Sequence, residues 1–520
     1  MATPKRAPAS RRRPAAGSGA VRVRMYRQGL GDCFLLSFPT EDGGRFHLLI
    51  DCGVLLGTPN AAPRMIAVAR DIAVETGGSP DGRTKGRIDV LVATHEHWDH
   101  VSGFEQASEV FKEQVEVGEV WLAWTEDPAH PLANELRQDR ERKVAHLHAA
   151  AERLRGDAAL AGMTEAIGGV LEFFGGLNAT GQASSRTAIE SLARRPDARV
   201  AYRRPGEPPV RLGGVPGVRV YVLGPPEDRK LIKKSDPTKR GREVYDQHAS
   251  LSLADSFFAG LTMRMDVDGR AALGRAEMDP EVAELAWPFD RQYRIPLEEG
   301  ESRRVIGADS TQISFFEEFY GFDDEGASAW RRIDRDWLGV AGDLALALDS
   351  DTNNTSLALA FELGERGPVL LFPGDAQVGN WLSWEALSWP VDPARPEGAK
   401  VTSDDLLGRT VLYKVGHHGS HNATLREKGL EKMTSPELVA LVPVDKEMAK
   451  HKKWDMPFGP LYERLLARTR GRIVLADDGR LPVEEASRHG LTRREWDEFE
   501  RRTPADPGQD ALWIDCWIDT

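Results

Sequence analysis

The string His95-Glu96-His97-Trp98-Asp99-His100 constrains this chain more than any other stretch of its 520 residues. It follows the apolar run at 88–94, IDVLVAT, which reads as a buried strand. Three imidazoles and a carboxylate within six residues, just past a strand end, form a metal-ligand cluster suited to Zn, Fe or Mn. Residues i and i+2 of an extended turn project to one side. His95 and His97 can therefore grip one ion, while Asp99 and His100, on the next bend, reach a second.

Two more strand ends carry matching chemistry. Gly416-His417-His418-Gly419-Ser420-His421 follows the run RTVLYKV, and Gly374-Asp375 follows VLLFP. Six of the 13 histidines fall inside 95–100 and 416–421, which scattered surface histidines would not do. A Gly-Asp pair alone makes a plain turn, but beside two such clusters Asp375 reads as a bridging ligand.

The pattern around these motifs is of alternating strands and helices. Strands are expected across 21–53, at 117–124, 198–204, 218–226, 343–350, 355–363, 368–375, 409–420, 438–444 and 471–479, and helices at 62–75 and across 132–154. That alternation implies an α/β fold with its site beyond the strand carboxyl ends. The β-rich halves, 21–125 and 343–480, share one set of candidate ligands. They form one split domain over 21–480, with insertions at 126–197 and 227–342 and an extension at 481–520.

Composition narrows the partners. The formal net charge is −13, which disfavours a surface that is all nucleic-acid footprint. Residues 1–20 run the other way, with Lys5, Arg6, Arg11, Arg12 and Arg13 and no acid, and read as a disordered basic tail. No run of about 18 apolar residues suggests a membrane span. Three widely spaced cysteines, Cys33, Cys52 and Cys516, suggest buried thiols rather than a disulfide framework, which fits a cytoplasmic location.

The motifs together resemble the metallo-β-lactamase superfamily of metal-dependent hydrolases. Strand-Asp51, the HxHxDH string, strand-Gly-Asp375 and strand-His417 match its ligand motifs in order. More narrowly, GLGDCFLL (29–36), LLIDCG (48–53), THEHWDHVSG (94–103), VYVLGPP (220–226), NNTSLALAF (353–361), LLFPGD (370–375) and LYKVGHHGS (412–420) resemble ComEC-type hydrolase domains. Such domains usually lack the first histidine of the string, present here as His95. They carry His-Pro where this chain has Met456-Pro457.

The resemblance implies a four-layer αββα sandwich with two divalent ions, Zn by preference, Mn or Fe as alternatives. It assigns His95 and His97 to one ion, Asp99, His100 and His417 to the other, and Asp375 as the bridge. Asp51 orients ligands from behind. Asp99 steers a proton, and His418 and Ser420 donate to a substrate oxyanion, with His418 as the alternative to His417 for the metal. A third histidine for the first ion is not recognisable; His130, His146, His148 and His248 lie in the right interval. Lys414 reads as a solvated lysine. The implied activity is hydrolysis of a phosphoester, nucleotide or nucleic acid. Carbon-ester, thioester or lactam hydrolysis is the alternative, and a non-catalytic metal protein the remote one.

Overall fold

In the computed structural model, residues 19–154, 167–175, 184–234, 348–392, 394–507 and 511–519 are described. The chain divides into two compact units. The first comprises Met1–Leu136, Glu172–Ala249 and Asp351–Thr520, and the second Arg137–Leu171 and Ser250–Ser350. The described part of the second unit is helical at 137–154, 167–171 and 348–350. Everything below concerns the first.

Two sheets form its centre. One contains β1 (Val21–Tyr26), β2 (Cys33–Pro39), β3 (Arg45–Cys52), β4 (Gly86–Val92), β5 (Val115–Ala123), β6 (Arg199–Arg203) and β17 (Trp513–Ile518), in the order β17-β1-β2-β3-β4-β5-β6. The other contains β7 (Val210–Arg211), β8 (Val218–Gly224), β9 (Ala358–Leu363), β10 (Val369–Phe372), β13 (Thr410–Lys414), β14 (Val439–Val442), β15 (Ile473–Leu475) and β16 (Gly479–Arg480), in the order β16-β15-β14-β13-β10-β9-β8-β7. A separate ribbon pairs β11 (Ser388–Pro390) with β12 (Lys400–Thr402).

The sheets pack face to face through alternate residues of their strands. Phe34, Leu36, Ile50, Val92 and Trp121 meet Val222, Phe361, Phe372, Leu412 and Leu441 in one buried cluster. Phe34 and Phe372 meet edge to face, with ring centroids 5.6 Å apart. The outer face of the first sheet is covered by helices. In Ala61–Glu75, Met65, Val68, Ala69, Ile72 and Ala73 fall on one stripe at helical spacing and join Leu35, Leu49 and Leu91. Helices Ser403–Gly408 and Gly459–Thr469 lie against the second sheet. The result is the α/β fold that the strand and helix pattern implies, layered as the sandwich that the resemblance implies.

The expected strands at 21–53, 117–124, 198–204, 218–226 and 355–363 are present, as are the central β10, β13, β14 and β15. Of the expected strand at 343–350, residues 348–350 are helical, and 343–347 lie outside the described residues. The basic arm to residue 18, most of 227–342 and His248 also lie outside the described residues.

Residues 481–520, expected as an extension, supply β17, which pairs antiparallel with β1. Arg24 of β1 is fully buried. It binds Asp515 of β17 through Nε (2.7 Å) and Nη2 (3.0 Å), and Asp71 of the covering helix through Nη1 (2.8 Å). The three cysteines are buried and free. No helix among the described residues is long and apolar enough to cross a membrane.

Candidate metal centre

The ends of β3, β4, β10 and β13 converge. β3 pairs with β4 and β10 with β13, both in parallel, so within each pair the carboxyl ends open to one side. Asp51 stands at the end of β3 with φ 55°, a left-handed conformation that non-glycine residues adopt at a cost of order 1–3 kcal/mol. The bend aims its carboxylate across to the next loop. Oδ1 accepts from the Thr94 N–H (2.8 Å), and Oδ2 accepts from Thr94 Oγ1 (2.7 Å) and lies 2.8 Å from His100 Nδ1.

The turn at Gly31 and Asp32 locks the string from the other side. Asp32 N–H donates to the Asp99 carbonyl (3.0 Å). A Cβ on Gly31 would lie 2.4 Å from the Gly53 carbonyl oxygen and 2.6 Å from that of Asp99, so only glycine allows the approach.

Four residues then form one donor group. Ligand atoms of Asp99, His100, Asp375 and His418 all lie within 4.8 Å of one another, and all four residues are buried. His100 Nε2 is 3.0 Å from Asp375 Oδ2. His418 Nδ1 is 2.6 Å from the Pro443 carbonyl, to which only a protonated nitrogen can donate, and its Nε2 faces Asp99 Oδ2 at 2.9 Å. Each ring is thus held through Nδ1, by a carboxylate or a carbonyl, with Nε2 turned to the centre. That is the support which fixes tautomer and direction in histidine ligands.

His417, the expected ligand, is not in this group; His418 takes its place. Both residues have left-handed backbones, at φ 45° and 53°, so the chain reverses between them and their rings diverge. His417 N–H donates to Asp375 Oδ1 (2.8 Å), while its Nδ1 lies 3.0 Å from Ser420 Oγ and 3.3 Å from Gln377 Nε2. Its Nε2 is buried without a hydrogen-bond partner. Ser420 Oγ also donates to Asn422 Oδ1 (3.0 Å), so it holds His417 rather than facing a substrate. His421 is exposed.

His95 and His97 stand beside the group. His95 Nε2 and His97 Nδ1 are 3.0 Å apart, two ring nitrogens brought to a common point. Their surroundings are apolar on one side: Phe173 and Phe174 pack on His97 with centroids 5.4 and 4.9 Å away. Of the four histidines in the interval, His130 packs on Trp124 and its Nδ1 accepts from the Ala133 N–H. His148 belongs to the second unit, and the side chain of His146 lies outside the described residues. Glu96, inside the string, instead meets Arg186 (3.2 Å), which also binds Glu126 (2.7 Å).

Lys414 corrects the expectation of a solvated lysine. It is buried, forms an ion pair with Asp32, and donates to Asp375 Oδ1 (2.9 Å) and the Gly374 carbonyl (2.9 Å). Its position at the end of an apolar strand, pointing to the same end as the ligands, was the available signal. Asp32 had one too, as the acid of the GLGD turn.

The charges test whether a cation fits. Asp32, Asp51, Asp99 and Asp375 are all buried around one lysine. Burial pushes Asp32 up to about 6 even with Lys414 and His100 beside it. Burial opposes charge on His100, yet Asp375, Asp99, Asp32 and Asp51 hold it well above the ordinary imidazole value. His418 is raised likewise, against burial, by its bond to Asp99 and by Asp375. His97 and His417 go the other way, lowered by burial to about 3 and about 4. Positive charge is therefore favoured at His100 and His418 and not at the other rings. Asp99 Oδ1 and Asp32 Oδ1 are buried without hydrogen-bond partners. Two carboxylates, two imidazoles and excess buried negative charge fit a divalent cation of the Zn, Mn or Fe type.

No curated protein matches the chain. Residues 27–175 match the family model of the metallo-beta-lactamase superfamily. Asp375, Lys414 and His418 lie beyond that match, Lys414 at the end of β13 and Asp375 and His418 just past the ends of β10 and β13. That match covers Asp32, Asp51 and the whole His95–His100 string, so this stretch is similar to the metallo-beta-lactamase superfamily.

Proposed function

We propose that this protein is a metal-dependent phosphodiesterase. The observation that carries the metal reading is the buried group of Asp99, His100, Asp375 and His418, with ligand atoms within 4.8 Å of one another. The phosphoester preference is supported by the resemblance to ComEC-type hydrolase domains over the segments that build this centre.

Asp99, His100, Asp375 and His418 would hold the principal ion, and His95 with His97 would hold a second, more weakly. A divalent cation there supplies a Lewis acid for a substrate oxygen and brings the ionisation of water near neutral pH. The chain's own groups do the rest. Asp51 and the Pro443 carbonyl keep His100 and His418 in one tautomer. Lys414 and the His417 N–H occupy Asp375 Oδ1, so Oδ2 alone faces His100. Asp99 keeps Oδ1 without a partner and accepts the proton of the attacking water there. His417, clamped through Nδ1, presents Nε2 to the substrate phosphate.

The test is a metal count by inductively coupled plasma spectrometry together with a substrate panel. At least one Zn, Mn or Fe per chain is expected. Hydrolysis of bis-p-nitrophenyl phosphate, but not of carbon-ester, thioester or lactam substrates, is expected to disappear in Asp99→Ala. A protein without bound ion, unaffected by added Zn or Mn, overturns the reading. Turnover of the ester or lactam set alone replaces the phosphodiesterase with that class.

A further inference from the structure

Alternation along an extended stretch sends the middle side chain of His95-Glu96-His97 away from its two neighbours. His97 is extended, at φ −111° and ψ 148°. The two rings meet, with His95 Nε2 3.0 Å from His97 Nδ1. The Glu96 carboxylate is instead buried against Arg186, whose Nη1 donates to Oε2 (3.2 Å).

Arg186 belongs to the helix Ser185–Ala193, inside the stretch expected as the first insertion. Ser184 caps this helix by accepting from the Thr187 N–H. Ala188, Ile189 and Leu192 join the buried cluster that contains Val101 and Phe104 of the helix Trp98–Gln106. Packing on the helix that follows the string brings the first turn of Ser185–Ala193 beside the string itself. Arg186 Nη1 also donates to Glu126 Oε2 (2.7 Å), just past β5. Its Nε donates to Glu190 Oε1 (3.1 Å), one turn on along the same face. One planar guanidinium therefore ties the string to the end of β5 and to its own helix. Ser185 Oγ donates to the Phe174 carbonyl (3.2 Å), and the Phe174 ring packs on His97 (4.9 Å). The same helical turn thus meets the His95–His97 stretch by two routes.

Asp99 and His100 have other supports. Asp51 Oδ2 lies 2.8 Å from His100 Nδ1, and the Asp32 N–H donates to the Asp99 carbonyl (3.0 Å). Neither contact involves residues 185–193. The two ends of the string are braced by different parts of the fold.

We propose that Arg186 is a positioning residue for the His95–His97 pair. Acting through Glu96, it holds the backbone between the two rings in the extended form that lets both nitrogens face one ion. It touches neither ion nor substrate. This rests on the two-ion reading above and divides its two sites. Loss of Arg186 weakens the ion on His95 and His97 and spares the one on Asp99, His100, Asp375 and His418.

The experiment is equilibrium dialysis of the EDTA-stripped full chain against Zn(II), with a urea midpoint recorded for every variant. The parent is expected to bind two equivalents, one more weakly. Arg186→Gln is expected to weaken that second equivalent about 10–100-fold, the usual loss for a group behind metal ligands, and to keep the first within about threefold. Glu96→Ala should do the same. Arg186→Gln combined with Glu96→Ala should lose no more than either alone, because residues that act through one contact are not additive. Arg195→Gln is the control. It removes a guanidinium bound to Asp197 just past the same helix and should leave both equivalents unchanged. Three results each overturn the proposal. Arg186→Gln could bind both ions like the parent, lose both equally along with its urea midpoint as a merely structural arginine would, or add its loss in full to that of Glu96→Ala. Any of these beside a two-equivalent parent leaves the two-ion reading standing. A parent that binds a single equivalent overturns that reading and the proposal with it.

Discussion

The two ends of the His95–His100 string sit within a few ångströms of each other in opposite surroundings. Asp99 and His100 face buried carboxylates, with Asp51 behind His100 and Asp375 before it. His95 and His97 face each other and a pair of phenylalanines. The acids raise His100, whereas burial lowers His97 to about 3. The same residue type three positions apart is thus prepared for different work. What distinguishes the two is contact: Asp375 and Asp51 touch the His100 ring, whereas at His95 and His97 the pull of Asp375 is outweighed by burial.

That contrast is open to direct attack. The largest effect is expected from Asp375→Ala, which strips the carboxylate-rich end and leaves Lys414 short of a partner. Metal affinity should fall more than a hundredfold by equilibrium dialysis. Stability should drop by about 3–5 kcal/mol in urea, as when one partner of a buried ion pair is removed. A variant that keeps its ion would show that the two ends do not differ as described.

Next comes the pair His418→Ala and His417→Ala. The first is expected to lose metal in the same assay, also by more than a hundredfold. The second should hold the ion within about threefold while its turnover falls by about 10²–10⁴, the range of a positioned acid or base. The reverse order of metal loss would return the ligand role to His417.

Asp51→Asn probes the support of His100. Outer partners of ligating histidines typically contribute 10–100-fold in affinity, and a loss in that range is expected by calorimetric titration. No change would mean that His100 needs no orienting carboxylate.

The smallest effect on the principal ion is expected from His97→Ala. The tightest equivalent should be retained and only a weaker one lost, seen as a change in stoichiometry. Loss of both would unite the two ends into a single cooperative site.

Much of this centre was legible in the sequence because strand ends are local features. An apolar run followed by His95–His100, Asp375 or His417–His418 shows itself within a dozen residues. The choice between His417 and His418 did not, because adjacent left-handed residues reverse the ring directions and no spacing rule reports positive φ. Lys414 was misread for a related reason. Its side chain is long enough to seem a surface group, and only the fold brings Asp32 and Asp375 to it across 382 and 39 residues of chain. The Phe173–Phe174 wall was equally hidden, since it arrives from a segment with no strand or motif of its own. The sheets themselves read well where strands are long and buried. They failed at 348–350, the end of the strand expected at 343–350, which is helical.

The pairing of β1 with β17 has a consequence for how the molecule is made. Arg24 and Asp515 are 491 residues apart. At about 5–20 residues per second, the ribosome reaches β17 roughly 25–100 s after β1. Until then the outer backbone of β1 is a bare sheet edge, and Arg24 is a cation beside the core without its Asp515 counter-ion. An open edge of this kind invites strands from other chains. The first sheet is therefore completed last, and the nascent protein has its greatest need of a chaperone at the strand made first.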